Sequence, residues 1–377
     1  MTFYLYSGAG NTFVVLDGRE IISEMDNAAK PECECGEDCQ CGCQDGEPCT
    51  CDKPESECGC GEGCGCHHGE EGEHHCCHDH AEEGERHCCG HHGEGGCCHE
   101  GGASPWERYV QDVCDHFKTD GLMMLLPSER FDFEMAFFNP DGTGGMMCGN
   151  GGRCIVAFAD YLGIKPADGK IYHFVAGDGP HTGQILAVTP DNSPVTPDNS
   201  PVTPDPIGGP SVDGVIKTVR IRMTDVSAFC PVLDGWFVDT GTRHFVKFVP
   251  EVEGLNMEEE GKRYRWDPVF APVGANANFV KVEPDRLVVR TFEKGVEGET
   301  LACGTGITAS AIASWLSSAG AEGLPHAWRE EGGRIIVPVR AREDNLQVEF
   351  KPVYAGDTVV GFTDVYLTGP ARLYGTK

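Results

Sequence analysis

Apolar residues recur at helical spacing in three stretches of this chain. Trp106, Tyr109, Val110, Val113 and Phe117 form one stripe, which opens on the capping-box pattern Ser104-Pro105-Trp106-Glu107. Ile155, Val156, Ala159 and Leu162 form a second, with Gly163 as its stop signal. Ile307, Ala311, Ile312, Trp315 and Leu316 form a third, with Gly320 as its stop. Elsewhere the period shortens to two. Residues 131–137 alternate and end in the turn Asn139-Pro140-Asp141-Gly142. The same reading predicts strands at the N-terminal Thr2-Phe3-Tyr4-Leu5-Tyr6 and over residues 215–223, 236–239, 244–249, 278–282, 286–291, 334–339 and 346–350. Strand-rich halves, each with one central helix, make an α+β fold.

The second and third stripes follow the same short motif. Residues 147–151 read Met-Cys-Gly-Asn-Gly, and residues 302–306 read Ala-Cys-Gly-Thr-Gly. Each cysteine therefore stands at a predicted helix N-terminus. There the unpaired backbone N–H groups and the helix dipole favour a thiolate, and the same N–H groups cradle a carboxylate. Two such ends facing each other would hold an amino-acid carboxylate with one thiol on each side of the α-carbon. That arrangement suits stereoinversion. One thiolate, Cys148 or Cys303, removes a proton from one face, and the other thiol returns one to the opposite face. Inert buried cysteines need no flanking Gly-x-Gly, so the matched pair favours shared chemistry over two core thiols.

The chain has 377 residues and a formal charge of −31. This length allows two domains, and the charge argues against nucleic acid and anionic membrane as partners. No run of apolar residues is long enough to span a membrane, and no secretory signal opens the chain, so a cytoplasmic enzyme is expected.

The charge is unevenly spread. Residues 32–102 hold 19 acidic side chains against Lys53 and Arg86, together with 17 of the 22 cysteines and 10 of the 15 histidines. This low-complexity insertion has almost no large apolar residue and cannot bury a core. It interrupts the connection between the second strand and the first helix. Candidate metal ligands lie between Cys33 and His99, as Cys-x-Cys units in the first part and Cys-Cys pairs among histidines in the second. Close-set thiolate and imidazole suit Zn²⁺ or Cu(I). A disulfide framework and a passive expanded loop are the competing readings. Residues 188–210 carry a second insertion, the tandem repeat Val-Thr-Pro-Asp-Asn-Ser-Pro, which reads as an extended linker between the catalytic halves.

The residues around the cysteines resemble diaminopimelate epimerase. The match begins at Tyr6-Ser7-Gly8-Ala9-Gly10-Asn11-Thr12-Phe13 and continues at Thr119-Asp120-Gly121-Leu122, Phe138-Asn139-Pro140-Asp141-Gly142 and Met147-Cys148-Gly149-Asn150-Gly151-Gly152-Arg153-Cys154. It resumes at Gly241-Thr242-Arg243-His244, Asn276-Ala277-Asn278-Phe279-Val280, Glu293-Lys294-Gly295 and Gly298-Glu299-Thr300-Leu301-Ala302-Cys303-Gly304-Thr305-Gly306, and closes at Val365-Tyr366-Leu367-Thr368-Gly369-Pro370-Ala371. Proline racemase and the phenazine-biosynthesis isomerases look like more distant relatives, and Asn150 after Cys148-Gly149 favours the epimerase.

The resemblance implies two pseudo-symmetric lobes, each a curled, mostly antiparallel sheet around a central helix, with the active site in the cleft between them. Residues 1–31, 103–187 and 365–377 would form the N-terminal lobe, and residues 211–364 the C-terminal lobe. It implies interconversion of L,L- and meso-diaminopimelate with no cofactor for catalysis, a small-molecule amino-acid partner, and room for a homodimer. Cys148 and Cys303 would be the acid/base pair, oriented and tuned by His244 and Glu293. Gly149, Asn150, Gly304 and Thr305 would hold the reacting end of the substrate. Asn11, Asn139 and Asn276 would hold the distal end. Two positions depart from the family: Thr242 stands where asparagine is usual, and Lys294 where arginine is usual. Lysine keeps the charge but loses the bidentate fork, so distal specificity is the point in question. An amino-acid racemase of the same fold is the alternative within the enzyme class. A metal-buffering protein on an epimerase scaffold is the alternative outside it, and retention of both cysteine motifs with His244 and Glu293 weighs against it.

Overall fold

The computed structural model describes residues 2–20, 104–145, 147–192, 211–318 and 327–377. The cysteine-rich segment 32–102, with its candidate metal ligands, lies outside the described residues, as do residues 193–210 of the repeat and the Gly320 stop.

In the first half, β1 (Tyr4–Gly8) pairs antiparallel with β2 (Asn11–Asp17). β2 runs parallel to β3 (Leu122–Leu126), and the helix α1 (Pro105–Phe117) lies between them in the chain. β3 pairs antiparallel with β4 (Phe133–Phe138), and β4 runs parallel to β5 (Tyr172–Ala176) after the helix α2 (Gly149–Tyr161). β6 (Gly179–Pro190) and β7 (Val215–Arg222) follow antiparallel. The far end of the last strand, β17 (Thr358–Thr376), pairs with both β7 and β1 and closes the sheet around α2.

The second half repeats this order. β8 (Phe229–Val232) and β9 (Gly235–Asp239) lead into β10 (Arg243–Phe248). β10 runs parallel to β11 (Asn276–Val282) across the helix α3 (Met257–Arg265). β11 pairs antiparallel with β12 (Leu287–Glu293), and β12 runs parallel to β15 (Arg334–Arg340) after the helix α4 (Gly304–Ser318). The short strands β13 (Gly298–Thr300) and β14 (Arg329–Glu331) flank β12 and β15. β16 (Asn345–Ala355) joins β15 to the near end of β17, and the bridge Val226–Phe362 returns the sheet toward β8. The fold is therefore the α+β arrangement of two pseudo-symmetric lobes. In each, a strand–helix–strand crossover precedes an antiparallel strand and then a central helix. β17 belongs to both lobes.

The central helices are wrapped because they have no polar face to give to water. Every residue of α2 from Gly149 to Ala159 is buried, as is all of α4 from Gly304 to Trp315 except Thr305. Phe158, near the C-terminal end of α2, packs its ring on Tyr4 and Tyr6 of β1. Burial of such a side chain contributes about 1.5–3 kcal/mol. Gly163 takes φ +77° just after α2, the left-handed conformation that stops the helix.

Two boundaries differ from expectation. β6 runs through Pro190, three residues into the stretch read as linker, with Thr189 and Pro190 paired to Ile216 and Val215. The expected second lobe begins at residue 211, before β7, whereas β7 pairs with β6 and with the first-lobe end of β17. α3 has no apolar stripe for periodicity to find, since its buried positions are Met257, Gly261, Tyr264 and Arg265, one of them glycine and one charged. That glycine is required by packing, because a Cβ there would strike the Phe292 ring. Among the described residues, no helix is long and apolar enough to cross a membrane.

Candidate active site

The two central helices meet end to end. A Cβ on Gly304 would lie 3.4 Å from the Gly149 Cα, and a Cβ on either glycine would lie 3.0 Å from Leu367 Cδ2. The two N-termini thus touch beside the point where β17 passes from one lobe to the other. Cys148 and Cys303 immediately precede these helices, so the fold brings both sequence motifs to one place. Neither thiol is in a disulfide.

Cys148 is the N-cap of α2, with φ −96° and ψ 147°, and its Sγ accepts the Gly151 N–H at 3.1 Å. Behind it lies Arg153, fully buried. Its guanidinium donates to the Gly149 carbonyl (3.1 Å), the Pro370 carbonyl (3.4 Å) and Asn150 Oδ1 (2.9 Å). With its oxygen so engaged, the Asn150 amide turns its Nδ2 to Asn11 Oδ1 (2.6 Å) and the Ala302 carbonyl (2.9 Å). Asn150 therefore ties the Cys148 motif to the Cys303 motif across the two lobes.

Cys303 is 6% exposed, and its Sγ lies 3.4 Å from Thr305 Oγ1. Close enough to act on it by charge is Glu293 at the end of β12, whose Oε2 accepts from Thr300 Oγ1 at 2.9 Å. Burial raises the Glu293 carboxyl above its ordinary value, and the charge of Asp120 adds to the rise. Thr242 Oγ1 donates to Thr305 Oγ1 at 3.0 Å and lies 2.9 Å from His244 Nε2. Burial lowers the His244 pKa from 6.5 to about 3, so its imidazole is neutral at pH 7.

The pull of the helix N-termini toward thiolate is outweighed at both cysteines. Their N–H groups do lower the proton affinity of the sulfurs, but burial is the larger effect and raises both thiols. The negative charge of Glu293 raises them further, while Arg153 lowers Cys148. Burial therefore favours the thiol form of both sulfurs, against the pull of the helix ends.

The residues expected at the distal end separate into two groups. Asn276 is buried and binds backbone, its Oδ1 accepting the Lys294 N–H (2.7 Å) and its Nδ2 donating to the Arg243 carbonyl (3.2 Å). Lys294 is exposed, and its ammonium has no ion pair among the described residues. Asn139 occupies the matching position after β4, with Nδ2 donating to Thr143 Oγ1 at 3.1 Å. Asn11, by contrast, faces Asn150, and Thr242 faces His244 and Thr305. Both therefore lie beside the cysteine motifs. A separate groove of about 390 Å³, lined by Glu251, Lys281, Glu283 and Arg286 among others, contains none of these residues.

Two residues at the site had no role in the sequence reading. Arg153 fixes Asn150, and Asn278 contacts His244. Asn278 carried a signal, because Asn276 and Asn278 are two apart in a strand and so share a face.

A sequence model described as diaminopimelate epimerase matches residues 236–355. The diaminopimelate epimerase of Chlorobaculum tepidum is 36% identical over 245 residues, covering 63% of this chain and 84% of that protein. Those of Flavobacterium psychrophilum and Hydrogenobaculum sp. are 30% and 34% identical, covering 70% and 66% of this chain and 86% and 84% of theirs.

The neutral, buried His244 gives a stability prediction. Its folded pKa lies below its unfolded value, so its contribution is present above about pH 6.5 and is lost as pH falls toward 3. The unfolding free energy from urea melts should drop between neutral pH and about pH 5. His244→Gln should flatten that drop. An equally steep drop in the variant would assign the acid sensitivity to other groups.

Proposed function

This chain belongs to the diaminopimelate epimerase family, and we propose that its two facing thiols interconvert L,L- and meso-diaminopimelate by proton removal on one face of the α-carbon and proton return on the other. The observation that carries this reading is the contact of the α2 and α4 N-termini at Gly149 and Gly304, with a free thiol at each. The substrate α-carboxylate would lie against the helix N–H groups. With Cys148 as thiolate, its sulfur takes the α-proton, and the planar carbanion receives the proton of Cys303 from behind. Charge and proton end on opposite sulfurs, and the reverse reaction resets them. No electrons are gained or lost, and the family needs no cofactor for this chemistry. The charge of Glu293 raises both thiols, and the Arg153 guanidinium opposes this at Cys148.

The distal amino-acid group would be held by Lys294, Asn139 and the loop that Asn276 fixes. The unpaired Lys294 ammonium supports a carboxylate at that end. Thr242 is engaged with Thr305 and His244, which supports a role at the reacting end rather than the distal one. The enzyme would act in the cytoplasm, where reducing conditions suit free thiols. All five described cysteines are unpaired. The segment 32–102 would bind Zn²⁺ or Cu(I) as an accessory to the catalytic fold, supported by its density of thiols and imidazoles.

Cys148→Ala and Cys303→Ala should each lose about 100-fold or more in turnover, since each direction needs an acid and a base. Near-parental turnover by either would exclude the two-thiol mechanism. Deleting residues 32–102 should leave epimerase activity and remove most bound metal. Elemental analysis of reduced protein checks this, and equal metal in both forms would exclude the metal reading. Lys294→Arg should raise the preference in kcat/KM for diaminopimelate over glutamate by about tenfold, the worth of one added charged hydrogen bond. A parent enzyme that prefers glutamate or aspartate would favour the racemase alternative.

A further inference from the structure

Asn278 is buried beneath the N-terminus of α4, and its amide is fixed by groups outside the reacting centre. Its Nδ2 donates to the Phe245 carbonyl at 2.9 Å, and its Oδ1 accepts the Thr291 hydroxyl at 2.9 Å. The reverse amide orientation would set two oxygens against each other. The same Nδ2 lies 3.1 Å from His244 Nδ1. An N–H donor there leaves Nδ1 only one role, that of acceptor.

The other contacts then follow in sequence. A neutral imidazole with an unprotonated Nδ1 carries its proton on Nε2. That N–H points at Thr242 Oγ1, 2.9 Å away, so the Thr242 hydroxyl donates onward to Thr305 Oγ1 at 3.0 Å. The Thr305 hydroxyl, having accepted from Thr242, is left to donate to Cys303 Sγ at 3.4 Å. Four hydrogen bonds thus point one way and end on sulfur. Bonds aligned head to tail polarise one another, and the last one stabilises charge at the sulfur. A Cβ at Gly306 would collide with Asn278 Oδ1 and crowd the His244 ring, so the glycine after Thr305 is what allows this pair to fit under the helix.

We propose that Asn278 is a positioning residue for the epimerase reaction, one that sets the His244 tautomer so that the chain through Thr242 and Thr305 delivers a hydroxyl proton to the Cys303 sulfur. The proposal rests on Cys303 being one of the two reacting thiols. His244 itself neither gives nor takes a proton in this scheme. It transmits the polarity of a distant amide. The charged and titratable groups facing Cys303 besides this chain are Glu293 and Cys148, and both remain in place in the variants below.

The test reads the imidazole and the thiol directly and needs no turnover. In ¹⁵N-histidine-labelled full-length protein, His244 should show a protonated Nε2 and an unprotonated Nδ1. The pH dependence of Cys303 alkylation by iodoacetamide, followed by peptide mass spectrometry, reports its thiolate. Asn278→Asp replaces the donor with an acceptor, which draws the proton to Nδ1 and reverses the chain. The Cys303 profile should then move up by about one pH unit, the worth of one charged hydrogen bond. Thr242→Val should cause a similar shift, and adding Asn278→Asp to it should cause little more. A protonated Nδ1 in the parent, no upward shift, or equal shifts from Asn278→Asp with and without Thr242 would overturn the proposal. If Asn278→Asp does not fold, the parent spectrum and Thr242→Val still decide it. Loss of diaminopimelate turnover with these thiol results intact would count against the functional reading and not against the relay.

Discussion

The contact between two helix N-termini at Gly149 and Gly304 is the constraint on which the rest of the structure depends. Helix ends of like polarity repel, and each brings unpaired N–H groups. They can approach this closely only because neither contact residue has a side chain and Leu367 fills the space beside them. Wrapping each helix in its own sheet holds them there, and β17 binds the sheets together by serving both. The repulsion has a chemical use. An anion placed at the junction relieves it, and an amino-acid carboxylate is such an anion.

The lobes are alike in order and unlike in charge. Cys148 has a helix N–H on its sulfur and a buried guanidinium behind it. Cys303 has a carboxylate and a hydroxyl. A symmetric pair would give no preference for where the single proton rests. Here the Arg153 guanidinium opposes the rise at Cys148 while Glu293 raises both thiols, so the two sulfurs sit in unlike surroundings. Burial raises the basicity of both sulfurs, and the helix N–H groups oppose this.

Most of the fold and the centre of the site could be read from the sequence. The repeated Cys-Gly-x-Gly ahead of two apolar stripes marked both central helices, and period-two alternation marked β4, β7, β10, β11, β12, β15 and β16. The misses have physical causes. α3 holds a charged sequence to the fold through Met257, Tyr264 and a glycine, too few apolar positions for periodicity to register. β7 follows the linker in sequence, but its place in the first lobe depends on pairing with a strand about 150 residues away, which no local pattern encodes. At the two thiols a local motif shows the helix dipole but not the depth of burial that outweighs it. Thr242 stands where the family has asparagine, and the partners of its hydroxyl, His244 and Thr305, come from contacts that no motif shows. Arg153 and Asn278 act through other side chains, so only their partners' positions show what they do.

The central claim is that two thiols act on opposite faces of one carbon, and early-time turnover of L,L-diaminopimelate in deuterated water tests it most directly. With no cofactor added, the first meso product should carry solvent deuterium at the inverted carbon while recovered L,L substrate retains its hydrogen. One base that removes and returns the same proton would give a product that keeps the substrate hydrogen, and that result would contradict the two-thiol site.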